Sequence, residues 1–436
     1  MLKQVGAVGG AVAIALCWPL ATGQIGEQVY QDTVGQYENP YLTISNESYD
    51  RGYLSSDAVS RIEINEEWKP VFEDEGLPTV WHLHHKVEHG IMKVTSSSEL
   101  VLDENLKPYA DSMWGKDVAP ISFTSSTALN GKTDFNITLN PMNYKNDLGA
   151  KADIKALVFE GTIDTKGAGE FRYNLPEATI ITTADEAMTL TGLKGSGKGK
   201  LDGQFWIGSQ DVSLQHVSFK DLSSDKSVEV DNVELAMNNV LAQSASSEEP
   251  KADQLLTNTN MMRIDKIVSL EGREYRDFRF NVSFADLNYP AISRLGNMAE
   301  DLNEQITPEQ AEEAALALDL LVAKGLKFSI DDLSIVTPEG DVKSNLNMVV
   351  APGIARASQN LAQVAEKLTG EINLVLPVEL VEADPALHQK ATMMEQNDII
   401  TKDKEKYSLH MKIEGDKIIL ASGDQLPLAM LLMLFM

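Results

Sequence analysis

The feature that most constrains the fold is a period-two alternation of apolar and polar residues, which recurs in short segments from Tyr41 onward. Successive side chains of a β-strand point to opposite faces, so this period predicts strands with one buried face. Gly, Asn and Asp separate the segments, which is typical of antiparallel strands joined by tight turns. The apolar members are Phe135, Ile137, Leu139, Leu157, Phe159, Ile163, Phe171, Tyr173, Leu175, Val228, Val230, Val233, Leu235, Met237, Met262, Ile264, Val268, Leu270, Phe278, Phe280, Val282, Phe284, Tyr407, Leu409, Met411 and Ile413.

Two β-hairpins are especially clear, over residues 268–284 and 407–420, because a short polar turn containing Gly separates two alternating runs in each. The sequence therefore predicts a mainly β protein with a few helices (α+β), built on a large, curved, antiparallel sheet. The predicted regions are a signal anchor at 1–24, a helical stalk at 25–40, a β-rich region at 41–243, a loop or lobe boundary at 244–254, and a second β-rich region at 255–436 with helices near 290–325 and 355–368.

The clearest predicted helix runs over residues 307–324. Thr307 is a natural N-cap, Pro308 fits the first helical position, and Gln310 completes a capping box. Gly325 is expected to end the helix. The expected apolar face comprises Ala311, Ala314, Ala315, Leu318, Leu321 and Val322.

An uncharged apolar segment covers residues 5–22, and about eighteen such residues are the lower limit for spanning a bilayer. Lys3 is the only charge before this segment, whereas Glu27 and Asp32 follow it. The positive-inside bias thus predicts a single-pass anchor in a cell inner membrane, with the bulk of the chain in the periplasm. A cleaved signal peptide is one alternative, because Ala21-Thr22-Gly23 resembles a cleavage site, and a buried helix of a cytosolic protein is the other.

The charge balance excludes one class of partner. The chain has 37 basic and 65 acidic residues, for a net charge of −28. Such a surface repels phosphate backbones, so we expect no nucleic-acid binding. Cys17 lies in the apolar segment and is the single cysteine. Beyond it the sequence has no disulfide, thiolate zinc site or cysteine nucleophile, which suits an oxidising compartment.

Four histidines cluster at positions 82, 84, 85 and 89, and residues 85–89 match the inverted zinc-peptidase pattern H-x-x-E-H, with Glu88 as the general base. That mechanism requires a helix, in which residues four apart share one face. The flanking residues instead predict a strand, where His85 and His89 would lie about 13 Å apart at roughly 3.3 Å per residue. We therefore expect no peptidase site, although His82 and His84 could form half of a surface metal site.

Other catalytic patterns are incomplete. The glycine-rich segment 192–199 resembles a phosphate loop, but Gly199 follows Lys198 where a magnesium-binding Ser or Thr is required. The acidic pairs Glu66-Glu67 and Asp331-Asp332 would point to opposite faces of a strand. We predict no catalytic, cofactor-binding or metal-ligating residue, and hence no enzyme.

The C-terminal residues 426–436 are almost continuously apolar. They are too few to cross a bilayer and too many to leave in water. We predict a short helix capped by Asp424, with Pro427 in its first turn. Three locations stay open for it: the domain core, a homodimer interface, or the membrane surface beside the anchor.

Three short blocks carry a family resemblance. They are the block at 49–56 with Arg51 and Gly52, the pair His89-Gly90, and the block at 328–340 with Thr337 and Gly340. Together they resemble the YdgA-like envelope proteins of proteobacteria, a family of unknown function, although Ile91 stands where that family usually has proline. The resemblance implies an inner-membrane protein with a self-associating periplasmic domain. It assigns these six residues structural importance and no catalytic role.

The sequence leaves three functions open. The first is a non-enzymatic envelope scaffold or partner-binding module, and the second is a lipid-handling protein with an apolar β-groove. An uncharacterised hydrolase is the third. What separates the second from the first is whether both faces of the strands are apolar around a continuous groove, and the alternation alone does not settle this.

The predicted topology can be tested with fusions after Gln36. Because Lys3 should hold the N-terminus in the cytoplasm, an alkaline phosphatase fused there should be active and a fluorescent protein that folds only in the cytoplasm should stay dark. Each fusion on a chain lacking residues 1–24 is the control. An inactive phosphatase fusion together with a bright fluorescent fusion would refute the envelope assignment.

Overall fold

The computed structural model describes residues 41–52, 55–74, 78–90, 93–128, 130–202, 205–242, 254–300 and 307–430. The chain is mainly β, with 60% of the structure in strands and few helices. It divides into two compact units, the first formed by Met1–Lys200 with Phe219–Asp225 and the second by Leu201–Ser218 with Lys226–Met436. Strand β12 (Phe205–Asp221) contributes residues to both units.

The first unit contains an antiparallel sheet in which β1 to β6 follow one another, β9 pairs with β6, and β10 joins β9 to β11. The hairpin β7–β8 pairs with the remaining part of β10. Two helices accompany the sheet. The elements are β1 (Leu42–Arg51), β2 (Ser55–Ile64), α1 (Lys69–Asp74), β3 (Val80–His89), β4 (Lys93–Leu100), α2 (Lys107–Trp114), β5 (Ile121–Ala128), β6 (Thr133–Leu139), β7 (Met142–Lys145), β8 (Lys151–Ile154), β9 (Leu157–Ile163), β10 (Ala168–Ile181) and β11 (Glu186–Asp202).

One face of this sheet forms a core. Residues that lie directly opposite each other in antiparallel strands share a face, so the register defines rows of neighbouring side chains. One row crosses eight strands, from β2 to β6 and on through β9, β10 and β11. Its members are Ala58, His85, Ser98, Phe123, Ile137, Phe159, Tyr173 and Gly195.

Aromatic rings of this face lie over glycines of the neighbouring strands. The Phe159 ring centroid lies 5.5 Å from that of Phe135 and 6.4 Å from that of Tyr173. A Cβ atom on Gly195 would lie only 2.2 Å from the Tyr173 ring, and one on Gly161 only 2.8 Å from Phe135 Cζ. The glycine-rich segment 192–199 is therefore part of β11, where glycine makes room for rings, and not a phosphate loop.

The second unit contains a second antiparallel sheet in the order β13 to β18, then β20, β21 and β22, with β19 pairing beside β21 on β20. The strands are β13 (Lys226–Leu241), β14 (Leu255–Val268), β15 (Glu274–Asn288), β16 (Leu326–Thr337), β17 (Gly340–Val350), β18 (Leu368–Pro377), β19 (Ile400–Lys402), β20 (Lys406–Glu414), β21 (Lys417–Leu420) and β22 (Gln425–Pro427).

Helices cover two parts of the second sheet. Near one end of the strands, Ile292 and Leu321 pack on the cluster around Leu256 and Leu287. Over β18 and β20, Val381 and Ala391 pack with Met411 and Ile418, which are completely buried. The helices are α3 (Tyr289–Glu300), α4 (Pro308–Ala323), a 3-10 helix (Ala357–Gln359), α5 (Leu361–Glu366), α6 (Val378–Ala383) and α7 (Pro385–Gln396).

The structure confirms the two predicted hairpins, as β14–β15 and β20–β21, and the capped helix. In α4 the Thr307 side chain accepts a hydrogen bond from the Gln310 N–H, and the Gln310 side chain accepts one from the Thr307 N–H. Two members of the predicted face are wrong. Ala311 is exposed and Leu318 is 40% exposed, whereas Ala317 and Val322 are buried.

Two predicted helices are corrected. The expected helix at 355–368 is broken, because Arg356 adopts a left-handed conformation and Asn360 caps a new short helix, α5. The predicted helix does not begin after Asp424, since Gln425–Pro427 forms β22 and pairs with β21. Leu426 and Leu428 pack against the core of the second unit. Leu270, expected in a strand, lies in the β14–β15 turn.

Several predictions fall on residues outside the described ranges. They are the anchor at 1–24, the stalk at 25–40, most of the boundary at 244–254, and the tail from residue 431. Among the described residues, none of the helices has the length and apolar character needed to cross a bilayer.

The ring-over-glycine packing predicts an unusual stability effect. Ala normally stabilises a strand interior relative to Gly by roughly 0.5–1 kcal/mol. For Gly195→Ala we expect the reverse, a loss of about 1–3 kcal/mol in the free energy of unfolding, because the new methyl group meets the Tyr173 ring. Urea unfolding measures it. Ser196→Ala, on the opposite face of β11, should change little, and Tyr173→Ala should remove the penalty; stabilisation by Gly195→Ala alone would contradict the packing.

Candidate functional site

The four clustered histidines lie on strand β3 and not on a helix. His82 and His84 point to the solvent side, where their Nε2 atoms lie 3.4 Å from Glu47 Oε2 and 3.2 Å from Asp57 Oδ1. His85 and His89 occupy the opposite face, and an extended strand separates them by about 13 Å. The helical geometry that the peptidase motif requires is therefore absent from this segment.

His85 is held between two serine hydroxyls in the interior of the first unit. Its Nε2 lies 2.8 Å from Ser60 Oγ, and its Nδ1 lies 2.7 Å from Ser98 Oγ. Only 2% of His85 is exposed. Burial lowers the pKa of His85 from 6.5 to about 4, and the nearby His84 contributes in the same direction. His85 is consequently a neutral, fully bonded core residue at physiological pH.

Small hydroxyl side chains extend this polar region across the sheet. The Oγ atom of Ser125 is buried and has no hydrogen-bond partner among the described residues, and the same is true of Asn46 Oδ1. Both ring nitrogens of His85 thus face serine hydroxyls. The buried polar residues of the first unit are Ser56, Ser60, His85, Ser96, Ser98, Ser125 and Thr133.

The structure brings two of the three sequence blocks together. His89 Nε2 lies 3.1 Å from Ser56 Oγ, so His89 of the second block contacts the last residue of the first block. Added Cβ atoms on Gly52 and Gly90 would lie 2.5 Å from Ser55 O and 2.6 Å from Lys93 O, respectively. Each glycine thus allows the chain to turn tightly where it leaves its strand. Arg51 is exposed at the end of β1.

The third block forms the β16–β17 turn in the second unit. Thr337 Oγ1 donates to Gly340 O at 3.0 Å and accepts from the Glu339 N–H at 3.2 Å. Gly340 has a φ of +132°, a conformation that side chains rarely adopt. Glu339 pairs with Arg273 of the neighbouring turn. These residues shape a turn and offer no arrangement for chemistry.

An open cleft in the first unit, with a volume of about 780 Å³, is lined by His82, Asp103 and Tyr109 among others. Asp103 Oδ1 accepts the N–H groups of Asn105 and Leu106, so its carboxylate orders the turn before α2. Among the described residues, no group of three or more His, Cys, Asp or Glu could hold a metal ion.

The second unit presents a different surface, a row of apolar side chains across its strands. Val282, Ile330, Leu346 and Ile372 lie directly opposite one another on β15, β16, β17 and β18. All four are half-buried, whereas the next residue of the row, Met411, is covered. We call Val282, Ile330, Leu346 and Ile372 the apolar track.

Parallel rows widen the track on both sides. Phe284, Phe328 and Met348 form one of them, and the rings of Phe284 and Phe328 are 4.9 Å apart. Phe280 and Leu333 belong to the other. The next strand positions of β17 are exposed polar residues of the opposite face, so this sheet has one apolar and one polar face.

An asparagine ladder lies at the β14 end of the track. Asn260 is directly opposite Val282 and therefore shares its face. Asn260 Nδ2 donates to Asn258 Oδ1 at 2.6 Å, and Asn258 Nδ2 donates to Asn239 Oδ1 at 2.7 Å. Asn239 Nδ2 donates to Trp206 O at 2.8 Å. The ladder is an ordered polar group next to the apolar track.

Sequence reasoning missed the ladder and the track, although the alternation contained Val282. The spacing of Asn239, Asn258 and Asn260 in the sequence gives no sign that they meet, because strand register is set by bulges near Leu256 and Asn281. A signal for one missed helix was present. Asp384 before Pro385 is an N-cap pattern, and its carboxylate caps α7.

Family comparison supplies the broader context. Residues 1–429 match the family described as "Bacterial protein of unknown function (DUF945)". The chain belongs to the DUF945 family. The match spans all three sequence blocks and both units. No curated protein and no solved structure matches the chain.

Buried His85 predicts a defined pH dependence of stability in this DUF945 protein. Its pKa is about 4 in the folded chain and 6.5 when unfolded, so only the unfolded chain binds the proton between these values. The contribution of this pKa difference to the free energy of unfolding is complete above pH 6.5, decreases as the pH falls, and is lost at about pH 4. The free energy of unfolding should change by about 3 kcal/mol over this range. Urea unfolding at several pH values measures the change.

The variant His85→Gln is neutral at every pH and should lack this part of the pH dependence. His84→Gln, which removes a solvent-exposed histidine from the same strand, is the matched control and should retain it. Equal pH profiles for the original chain and His85→Gln would show that His85 is not buried in its neutral form.

Proposed function

We propose that this DUF945 protein is a non-enzymatic, YdgA-like module of the cell envelope that binds a partner on the apolar face of its second unit. An N-terminal helix would hold it in the inner membrane, with the described units in the periplasm. The uncharged segment at 5–22 and the lone Lys3 before it support this location. The absence of cysteine after Cys17 suits the same compartment.

The single observation that carries the proposal is the half-buried apolar track. A sheet face of this kind normally packs against a layer of helices or a second sheet. In the second unit, helices pack near Leu256 at one end of the strands and near Met411 at the edge of the row. Between them, Val282, Ile330 and Leu346 stay half-buried in one contiguous apolar row, and contiguous apolar surface marks binding sites.

The chemistry of the described side chains favours binding over catalysis. His85 is buried and bonded on both ring nitrogens, and the cleft carboxylate of Asp103 is engaged with backbone N–H groups. The track itself contains no nucleophile, acid or base. A surface that is apolar in its centre and bordered by ordered amides can recognise shape and hydrophobicity.

Site-specific photo-crosslinking in cells tests this proposal. A benzoylphenylalanine residue placed at Ile330 or Leu346 should crosslink a partner, because both positions lie on the half-buried apolar track. The same residue placed at Asn347 is the matched control, since Asn347 lies on β17 next to Leu346 but is exposed on the opposite face. Mass spectrometry of the adduct identifies a lipid or a protein. Equal yields on both faces, or none on the apolar face, would refute the proposal.

A further inference from the structure

We infer that the apolar track binds one acyl chain of an amphipathic lipid, with the polar linkage of that lipid at Asn260. The inference rests on the proposed function and names the class of ligand for the same face. It depends on three observations: the length of the track, the absence of polar groups within it, and the asparagine ladder at one end.

The length of the track matches one acyl chain. Neighbouring strands lie about 4.8 Å apart, so the three steps from Val282 to Ile372 span about 14 Å. The hydrocarbon core of a bilayer is about 30 Å thick, so one leaflet of acyl chains is about 15 Å deep. A single chain laid across β15, β16, β17 and β18 would therefore cover the row from its amide end to the helix-covered Met411.

The track offers contact but no hydrogen bonds. Its members are aliphatic, and the flanking Phe280, Phe284 and Phe328 are aromatic. Ser344, the nearest hydroxyl on this face, donates to Asn373 O at 3.0 Å and is already satisfied. An acyl chain needs no hydrogen bonds, whereas an extended peptide would bury backbone N–H and C=O groups without partners, at a cost for each one.

The asparagine ladder gives the site a polar end. Each amide from Asn260 to Asn239 donates one hydrogen bond to the next, so the ladder is fixed in one direction. Asn260, the first of them, is half-buried and directly opposite Val282, the first residue of the track. An ester or carboxyl group placed there could hydrogen-bond to the Asn260 amide while its chain follows the track.

Electrostatics separates an acyl chain from a second copy of this protein. Each copy carries a net charge of −28, so two apolar faces brought together would also bring two strongly acidic proteins together. Self-repulsion of this size opposes association. An acyl chain has no charge along its length and avoids this cost. Self-association through the track is therefore the competing outcome and not the expected one.

The test uses the full chain, kept soluble in an amphipol and titrated with a fluorescent palmitate analogue. We expect saturable binding with one probe for each chain, displaced by palmitate and not by butyrate, because a short chain covers little of the track. Ile330→Trp and Leu346→Trp should each weaken binding at least tenfold by filling the track with another apolar side chain. Asn347→Trp, on the opposite face, should bind as the original chain does.

The polar end is tested separately with Asn260→Leu. Loss of one hydrogen bond should weaken binding by about threefold to tenfold, and Asn347→Leu should leave it unchanged. Circular dichroism melting of every variant establishes that the fold is kept. Equal binding by the original chain and the folded track variants would overturn the inference, as would displacement by butyrate.

These outcomes are distinguishable from failure of the proposed function. If the track variants abolish a protein crosslink or self-association, measured by analytical ultracentrifugation, but leave probe binding unchanged, the face binds a partner that is not an acyl chain. If the track variants alter neither the crosslink nor probe binding, both proposals fail.

Discussion

The antiparallel register is the constraint on which the other features depend. Direct pairing places Val282, Ile330, Leu346 and Ile372 in one row, although they are separated by up to 90 residues of sequence. A shift by one residue in any strand would replace an apolar member by a polar neighbour and interrupt the row. Turn glycines and bulges that fix the register therefore determine the apolar row without contributing side chains to it.

Sequence alternation was sufficient to predict several of the strands and the two hairpins, and the capping residues were sufficient to predict helix α4, because each depends on residues close together in the chain. It was insufficient for features that depend on register. Neither the position of His85 between Ser60 and Ser98 nor the asparagine ladder follows from local spacing. The predicted helix after Asp424 failed for a related reason: the strand partner of residues 425–427 outweighed their N-cap and proline signals.

The two sheets use polar residues in their interior faces in different ways. In the first unit, serine hydroxyls satisfy both ring nitrogens of His85 and enclose it. In the second unit, Asn260 donates a hydrogen bond to Asn258, which donates one to Asn239. Asn260, the first residue of this ladder, is half-buried. A buried polar side chain whose hydrogen bonds are all made within the protein helps to specify the fold. A polar side chain that is bonded in the same way but lies beside an incompletely covered face can also bind a ligand.

Ring packing explains why the first unit is the less suitable binding surface. There, Tyr173 and Phe135 occupy the space above Gly195 and Gly161, so the sheet fills its own face with side chains from neighbouring strands. The row of the apolar track in the second unit has aliphatic side chains and no glycine. Hydrophobic surface that a chain does not cover itself costs free energy in water. The ligand proposed above would remove the half-buried apolar track from water.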